Sequence, residues 1–384
     1  MYSNYYSTAE WERINKFSEH LDTPCLIIIL DKIRAKFLEF HDNFSYAKIY
    51  YAVKANPSKE VLTVLNNAGA YFDVASIYEL NQVLDLGVMP SKISFGNTIK
   101  KAKHIAMAYQ AGVRLFTSDC EADVRNLAQY APGSKVCFRL LMDAVTSDSD
   151  WPLSKKFGCH PRMLLDLFLL AADLGLEPYG VSFHVGSQQR EIQAWDAALA
   201  QVITVYDWLE QKSLRLQSIN MGGGFPADYL TKTNSLQTYG EEIRRYLDSH
   251  FGNNMPEIYL EPGRGLVGEA GILVSEVILI AKKSRTDLKR WIYTDVGIFN
   301  GLMEAINESI KYPIYVEKNG PTGEVILAGP TCDSLDILYE HFKYQLPLSL
   351  EIGDRIYWLS TGAYTASYSS VEFNGFPPLT TYCL

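Results

Sequence analysis

Between residues 48 and 262 the chain alternates short β-like segments with helix-like ones, eight times over. The β-like segments end near Lys54, Asp73, Gly96, Ser118, Arg139, His184, Gly222 and Glu261. KVCFRL at 135–140, YGVSFHVG at 179–186 and EIYLEPG at 257–263 are examples. KEVLTVLNNAG at 59–69 and IYELNQVLDLG at 77–87 carry helical periodicity and stop at glycine, as a helix C-cap does. Strands alternating with helices build βαβ units on a parallel sheet. Eight such units are the count of a closed (β/α)8 barrel. The competing fold, an open doubly wound sheet, wants GxGxxG after its first strand, and none stands there.

After about residue 265 the pattern changes. EAGILVSEVILIAKK at 269–283, RWIYTDVG at 290–297, YPIYVEK at 312–318, EVILAGP at 324–330 and DRIYWLS at 354–360 alternate in β fashion with few helical segments between them. The expected architecture is therefore α/β: a barrel over 24–268 and an all-β, sandwich- or barrel-like domain over 269–384, which residues 1–23 could join. The apolar run CLIIIL at 25–30 fits either domain.

Charge and cysteine content narrow the function classes. With 35 basic and 44 acidic residues the net charge is −9, and no basic tract appears, which argues against a nucleic-acid binder. The 25 tyrosines lack basic partners in the sequence and read as core and interface material. The six cysteines form no CxxC pair and suggest neither a zinc site nor a disulfide framework. No basic segment followed by an apolar core opens the chain, and the longest apolar runs are too short for a bilayer. The expectation is a cytoplasmic protein without metal or membrane. DAVTSDSDWPLSKKFG at 143–158 reads as a mobile lid over the barrel mouth or as an ordinary solvated loop.

In a barrel of this kind, function sits at the C-terminal ends of the strands. Those ends carry Lys54, Asp73, Asn97, Arg139, His184, Gly222 to Gly224, Glu261 and Arg264. Lys54, in YAVKANP, places an amine where a core strand ends, and burial there frees a nucleophilic amine. A snorkelling lysine has the same local sequence. Asp73 could instead cap the next helix. His184 could be a core histidine, and Glu261 and Arg264 a structural ion pair. The GGGF run at 222–225 follows the seventh strand, and Arg264 follows the eighth, where barrels commonly hold phosphate. Three glycines let backbone N–H groups approach an anion. A lysine, a phosphate cup and Glu261 as partner for a ring nitrogen are what pyridoxal 5′-phosphate (PLP) requires.

YAVKANP, FDVAS, SFHVGSQ, GGGFP, EPGRG, GPTCDSLD, TGAY and FNGF occur in order over 51–376. On these motifs the chain resembles the PLP-dependent decarboxylases of basic amino acids, within the alanine-racemase-like fold group. Among them it is most similar to the short prokaryotic ornithine/lysine type. The resemblance implies a PLP-binding barrel, a C-terminal β domain and a head-to-tail homodimer with shared active sites. It further implies that Lys54 carries the cofactor, that Asp73 and Glu79 support it, that Arg139 lies near the ring, and that His184 stacks on it. By the same resemblance Ser187, Gly222, Gly223, Gly224, Gly263, Arg264 and Tyr364 hold the phosphate, with Asn374 nearby, and Glu261 meets the ring nitrogen. Cys332, the implied proton donor, and Asp333, the implied partner of the substrate's distal ammonium, would come from the other subunit.

The expected reaction is decarboxylation of L-ornithine to putrescine, with lysine to cadaverine as a side activity. Eukaryotic ornithine decarboxylases carry a second aspartate in the segment aligned with FNGLMEAINE at 299–308; here Glu304 is the nearest acidic residue, which opens the question of lysine. Diaminopimelate and carboxynorspermidine decarboxylases are the alternatives within the family. The former typically show CES where this chain has Cys332-Asp333-Ser334. A racemase or a catalytically dead homologue fits less well, because Glu261, Lys54, the glycine cup and Cys332 are all present.

Overall fold

The structure, a computed structural model, describes residues 2–142, 149–151 and 156–384. It divides into two compact units. One comprises Ile33–Pro226 and Thr233–Leu266; the other comprises Met1–Lys32, Ala227–Lys232 and Val267–Leu384.

The first unit is a closed barrel of eight parallel strands: Ala47–Ala52, Tyr71–Val74, Ile93–Phe95, Leu115–Ser118, Lys135–Arg139, Glu177–Ser182, Ser218–Asn220 and Glu257–Leu260. Each strand pairs with the next in sequence, and Leu260 against Ile49 closes the ring. The helices form because their apolar residues recur at helical spacing. On Lys59–Asn67, Val61, Leu62 and Leu65 are all buried, each burial contributing roughly 1.5–3 kcal/mol before chain entropy is charged. The glycine stops act as expected: Gly69 and Gly87 have φ of +96° and +77°, and the N–H groups of Ala70 and Val88 reach back to the carbonyls of Leu65 and Val83. The segment 143–158, which reads as a lid or as a solvated loop, lies mostly outside the described residues. Within it, Ser149–Trp151 pairs antiparallel with Ser187–Gln189.

The second unit is a curled mixed sheet. Its strands run in the order Ile314–Tyr315, Arg355–Leu359, Gly271–Ala281, Arg290–Thr294, Thr322–Ala328 and Ile337–Pro347. Residues 24–32, assigned to the barrel from sequence, belong here instead. Cys25–Ile28 pairs antiparallel with the start of Gly271–Ala281 and parallel with Thr380–Cys383. A strand buried on both faces has the same apolar run in either kind of sheet, so the sequence was silent on which one takes it. Among the described residues no helix is long and apolar enough to cross a membrane.

The strand Ile337–Pro347 does not show in the sequence, because its alternation breaks in the middle. Val325 pairs with Tyr344, but Leu327 pairs with Tyr339, so residues 340–343 bulge out of the ladder. The carboxylate of Glu308 replaces the lost partners. It accepts from the N–H groups of Glu340, His341 and Phe342 at 2.7, 2.6 and 2.8 Å. Burial works against its charge, but these three donors outweigh it and hold the carboxyl below its ordinary pKa. Glu308→Ala leaves three N–H groups without that acceptor and is expected to destabilise the fold by about 2–4 kcal/mol. Chemical denaturation checks this, and an unchanged midpoint would show that water replaces the carboxylate at no cost.

Candidate active site

Lys54, Asp73, Glu79, Arg139, His184, Ser187, Gly222 to Gly224, Glu261, Gly263 and Arg264 all belong to the barrel unit, on or just after its strands. The first strand stops at Ala52, and a single 3-10 turn, Val53–Ala55, carries Lys54 past its end. Lys54 is exposed. The expectation of an amine buried by the strand end is thereby corrected: the turn lifts it off the packed layer on which Val53 and Ala55 remain buried. Its charge nonetheless acts on Asp73, Glu79 and His184.

Asp73 is buried, and its Oδ1 has no hydrogen-bond partner among the described residues. Burial, and then the negative charge of Glu261, raise its pKa well above the carboxylate range; Lys54 and Arg139 oppose this. Asp73 does not cap the following helix. Ser76 does, accepting from the Glu79 N–H at 3.2 Å, while the Glu79 carboxylate accepts from the Ala75 N–H at 2.6 Å. Burial raises the Glu79 pKa in spite of that bond and of Lys54. Asn97 is spent on the backbone, donating to the Ala75 carbonyl at 3.0 Å and accepting from the Ile99 N–H at 3.0 Å. Arg139 ends the fifth strand, and burial lowers its pKa against the pull of Glu261 and Asp73.

His184 accepts from the Gly186 N–H through Nδ1 at 3.0 Å. Burial, then the positive charges of Arg139 and Lys54, hold its pKa well below the ordinary value. The imidazole is therefore neutral with its proton on Nε2. We expect its nitrogen-15 shifts to stay constant between about pH 6 and 8, the range in which a free histidine titrates. The unfolded chain takes up this proton near pH 6.5 and the folded one does not, so the stability owed to His184 is full above that pH and falls as pH drops below it. A titration midpoint near 6.5 in the folded protein would refute the assignment.

The glycine run is built as a cradle. Gly222 and Gly224 have φ of +65° and +99°. A Cβ at Gly222 would lie 2.3 Å from the Phe183 carbonyl oxygen, and one at Gly224 would lie 2.7 Å from that of Gly186. Beside it, the buried Arg264 donates to Ser187 Oγ through Nε and Nη2 at 3.3 and 3.2 Å. Asn220, which sequence reasoning missed, ties the cradle to Glu261. Its Oδ1 accepts from the Gly222 N–H at 2.9 Å and its Nδ2 donates to Glu261 Oε1. The only signal was a polar residue closing a strand directly before MGGG.

Tyr364, Cys332, Asp333, Asn374 and Glu304 belong to the other unit. There Cys332 is exposed, and its N–H donates to Asn374 Oδ1 at 3.1 Å. The Asp333 carboxylate accepts from the Leu335 N–H at 2.8 Å. The loop is pinned by buried Asp336, which accepts from the Thr331 N–H at 3.0 Å, the Thr331 hydroxyl at 2.7 Å and the Ile298 N–H at 2.8 Å. Tyr364 and Asn374 both hold positive φ, +57° and +54°. Glu304 is buried. Among the described residues no cluster of three or more His, Cys, Asp or Glu could hold a metal ion.

An anion cradle with a buried arginine, a carboxylate oriented by an amide and a nearby amine fit the phosphate, ring nitrogen and aldehyde of PLP. Comparison with known proteins agrees. Residues 30–268 match the family described as pyridoxal-dependent decarboxylase, pyridoxal binding domain. The lysine/ornithine decarboxylase of Selenomonas ruminantium is 32% identical over 95% of this chain and 90% of its own length. Antizyme inhibitor 2 of Xenopus laevis is 32% identical over 95% of this chain and 82% of its own. Among solved structures, the lysine/ornithine decarboxylase of Vibrio vulnificus with putrescine superposes with a TM-score of 0.87 at 27% identity, covering 98% of this chain and 99% of that one. The barrel, its glycine cradle and these likenesses together place the chain in the family of PLP-dependent decarboxylases acting on basic amino acids, with pyridoxal phosphate as its cofactor.

Proposed function

We propose that this protein decarboxylates L-ornithine to putrescine and CO2, with lysine to cadaverine as a secondary activity. The observation that carries the reading is the loop of Cys332 and Asp333: an exposed thiol beside a carboxylate, on a segment fixed by Asp336. Relatives named as lysine/ornithine decarboxylases, one of them solved with cadaverine and with putrescine, support the diamino-acid class.

In this reading Lys54 Nζ is the attachment point of the cofactor, and Asp73, Glu79 and Arg139 set the charge around it. Gly222 to Gly224, Gly263, Ser187 and Arg264 hold the phosphate; the resemblance adds Tyr364 to this role and sets Asn374 nearby. Glu261, oriented by Asn220, keeps a proton on the ring nitrogen, and neutral His184 packs on the ring without adding charge. When bound, PLP supplies an electron sink for the pair left at Cα as CO2 departs. Cys332 Sγ then returns a proton to Cα. Asp333 pairs with the distal ammonium, because a partly desolvated carboxylate is best compensated by a cation. Glu304 is the acidic residue that its segment can offer the substrate, since the Glu308 carboxylate is committed to three backbone N–H groups. Two chains pair head to tail, and Cys332 and Asp333 of one complete the barrel site of the other.

Release of CO2 from ornithine, lysine, arginine and diaminopimelate by the purified holoenzyme tests the substrate. Turnover confined to arginine or diaminopimelate would overturn it. Cys332→Ala is expected to lower kcat by about 10²–10⁴-fold while leaving PLP absorbance intact. Wild-type turnover in that variant would remove the proton-donor role.

A further inference from the structure

The opposite end of the barrel carries a pocket away from the strand ends that bear Lys54 and the glycine cradle. A pocket of about 440 Å3 opens where the strands begin. Lys48 lines it from the start of the first strand, Lys92 from just before the third, Arg114 from just before the fourth and Lys135 from the first residue of the fifth. The second strand, which begins with Tyr71, lies between the first and third, so the ends of five consecutive strands bring four cations to one cavity, which the carboxylate of Glu257 also lines. The chain as a whole carries −9.

Part of this charge is compensated and part is not. Glu257 sits 2.8 Å from Lys48 Nζ and also accepts from the hydroxyls of Tyr259 and Tyr179, at 2.7 and 3.2 Å. Lys135 lies 3.9 Å from Glu177 and 4.0 Å from the Tyr179 ring centroid. Lys92 sits 5.4 Å from the Tyr71 ring centroid. The Arg114 guanidinium stacks 3.8 Å from the Tyr109 ring centroid and donates to the Tyr109 and Val113 carbonyls. Among the described residues no carboxylate comes within 4.0 Å of Lys92 or Arg114. Gathering like charges around one cavity costs free energy through repulsion. This face of a barrel contributes to stability through packing, which tyrosine and aliphatic side chains supply without such charges.

We propose that this pocket binds a small multivalent phosphate anion, with Lys92 and Arg114 as its principal partners and Lys48 and Lys135 as its flanks. The arginine fork and the lysine point charges match phosphate oxygens, and the volume is that of a small-molecule site. The shared chemistry is a polyphosphate chain, whether inorganic or part of a nucleoside triphosphate.

Calorimetric titration of the PLP-saturated holoenzyme with sodium tripolyphosphate, at constant ionic strength, tests this; bound PLP keeps the anion out of the active-site cradle. The expected result is saturable binding of one anion per chain, weakened about tenfold or more in Lys92→Ala/Arg114→Ala. The control Arg125→Ala/Arg244→Ala, which removes the same charge elsewhere on the barrel, keeps wild-type affinity. A parallel titration with ATP identifies the source: equal affinity marks a site for the phosphate chain alone, and tighter binding marks a nucleoside phosphate site. No saturable binding of tripolyphosphate, or equal weakening in both double variants, overturns the proposal.

Discussion

Lys54→Ala is expected to lower kcat/KM by about 10⁴-fold or more and to remove the visible absorbance of lysine-attached PLP. The argument is positional. Lys54 is the amine that the first strand's terminal turn brings within electrostatic reach of Asp73, Glu79 and His184. Removing it takes away both the proposed attachment point and a positive charge that favours ionised Asp73, so the pKa of Asp73 rises further. Because Cys332 is assigned to the opposite subunit, mixing Lys54→Ala with Cys332→Ala is expected to regenerate about a quarter of the wild-type sites under random pairing. Stopped-flow spectroscopy and CO2 release measure both effects. An undiminished visible band in Lys54→Ala, or no recovery after verified subunit exchange, would refute the attachment role or the shared site respectively.

Gly222→Ala is the second large effect. The new methyl falls 2.3 Å from the Phe183 carbonyl oxygen, in a backbone conformation with φ of +65°. The neighbour is main chain and cannot rotate away, so the cradle itself must open. The expected outcome is a loss of about 1–3 kcal/mol in stability from backbone strain together with a purified protein largely free of PLP. Gly69→Ala is the matched control. Its φ is +96°, but nothing lies within 4 Å of the new atom, so it is expected to lose about 1 kcal/mol and keep full PLP content. Equal PLP content in the two variants would show that the cradle does not hold the phosphate.

The barrel was legible in the sequence because its strands and helices have different periods and its helices stop at glycine. The β unit was less so. Cys25–Ile28 gave no sign of which sheet it joins, and the strand Ile337–Pro347 concealed itself behind a bulge satisfied by a glutamate about 30 residues away. At the site, glycines and charged residues at strand ends were readable, whereas Asn220 was not, since a bridging amide leaves no spacing pattern. The exposure of Lys54 is hidden from the sequence for a related reason. A strand's apolar run predicts burial along its length but not whether the chain turns off the layer one residue before the amine.

The strand Cys25–Ile28 has a consequence for synthesis. Its two neighbours, residues 271–274 and 380–383, are translated long after it. At about 5–20 residues per second, an apolar tetrapeptide waits tens of seconds for its second edge to be covered, while the intervening barrel emerges and closes first. Until residues 380–383 are in place, Cys25–Ile28 therefore has one edge without its partner strand, an edge on which another chain could pair.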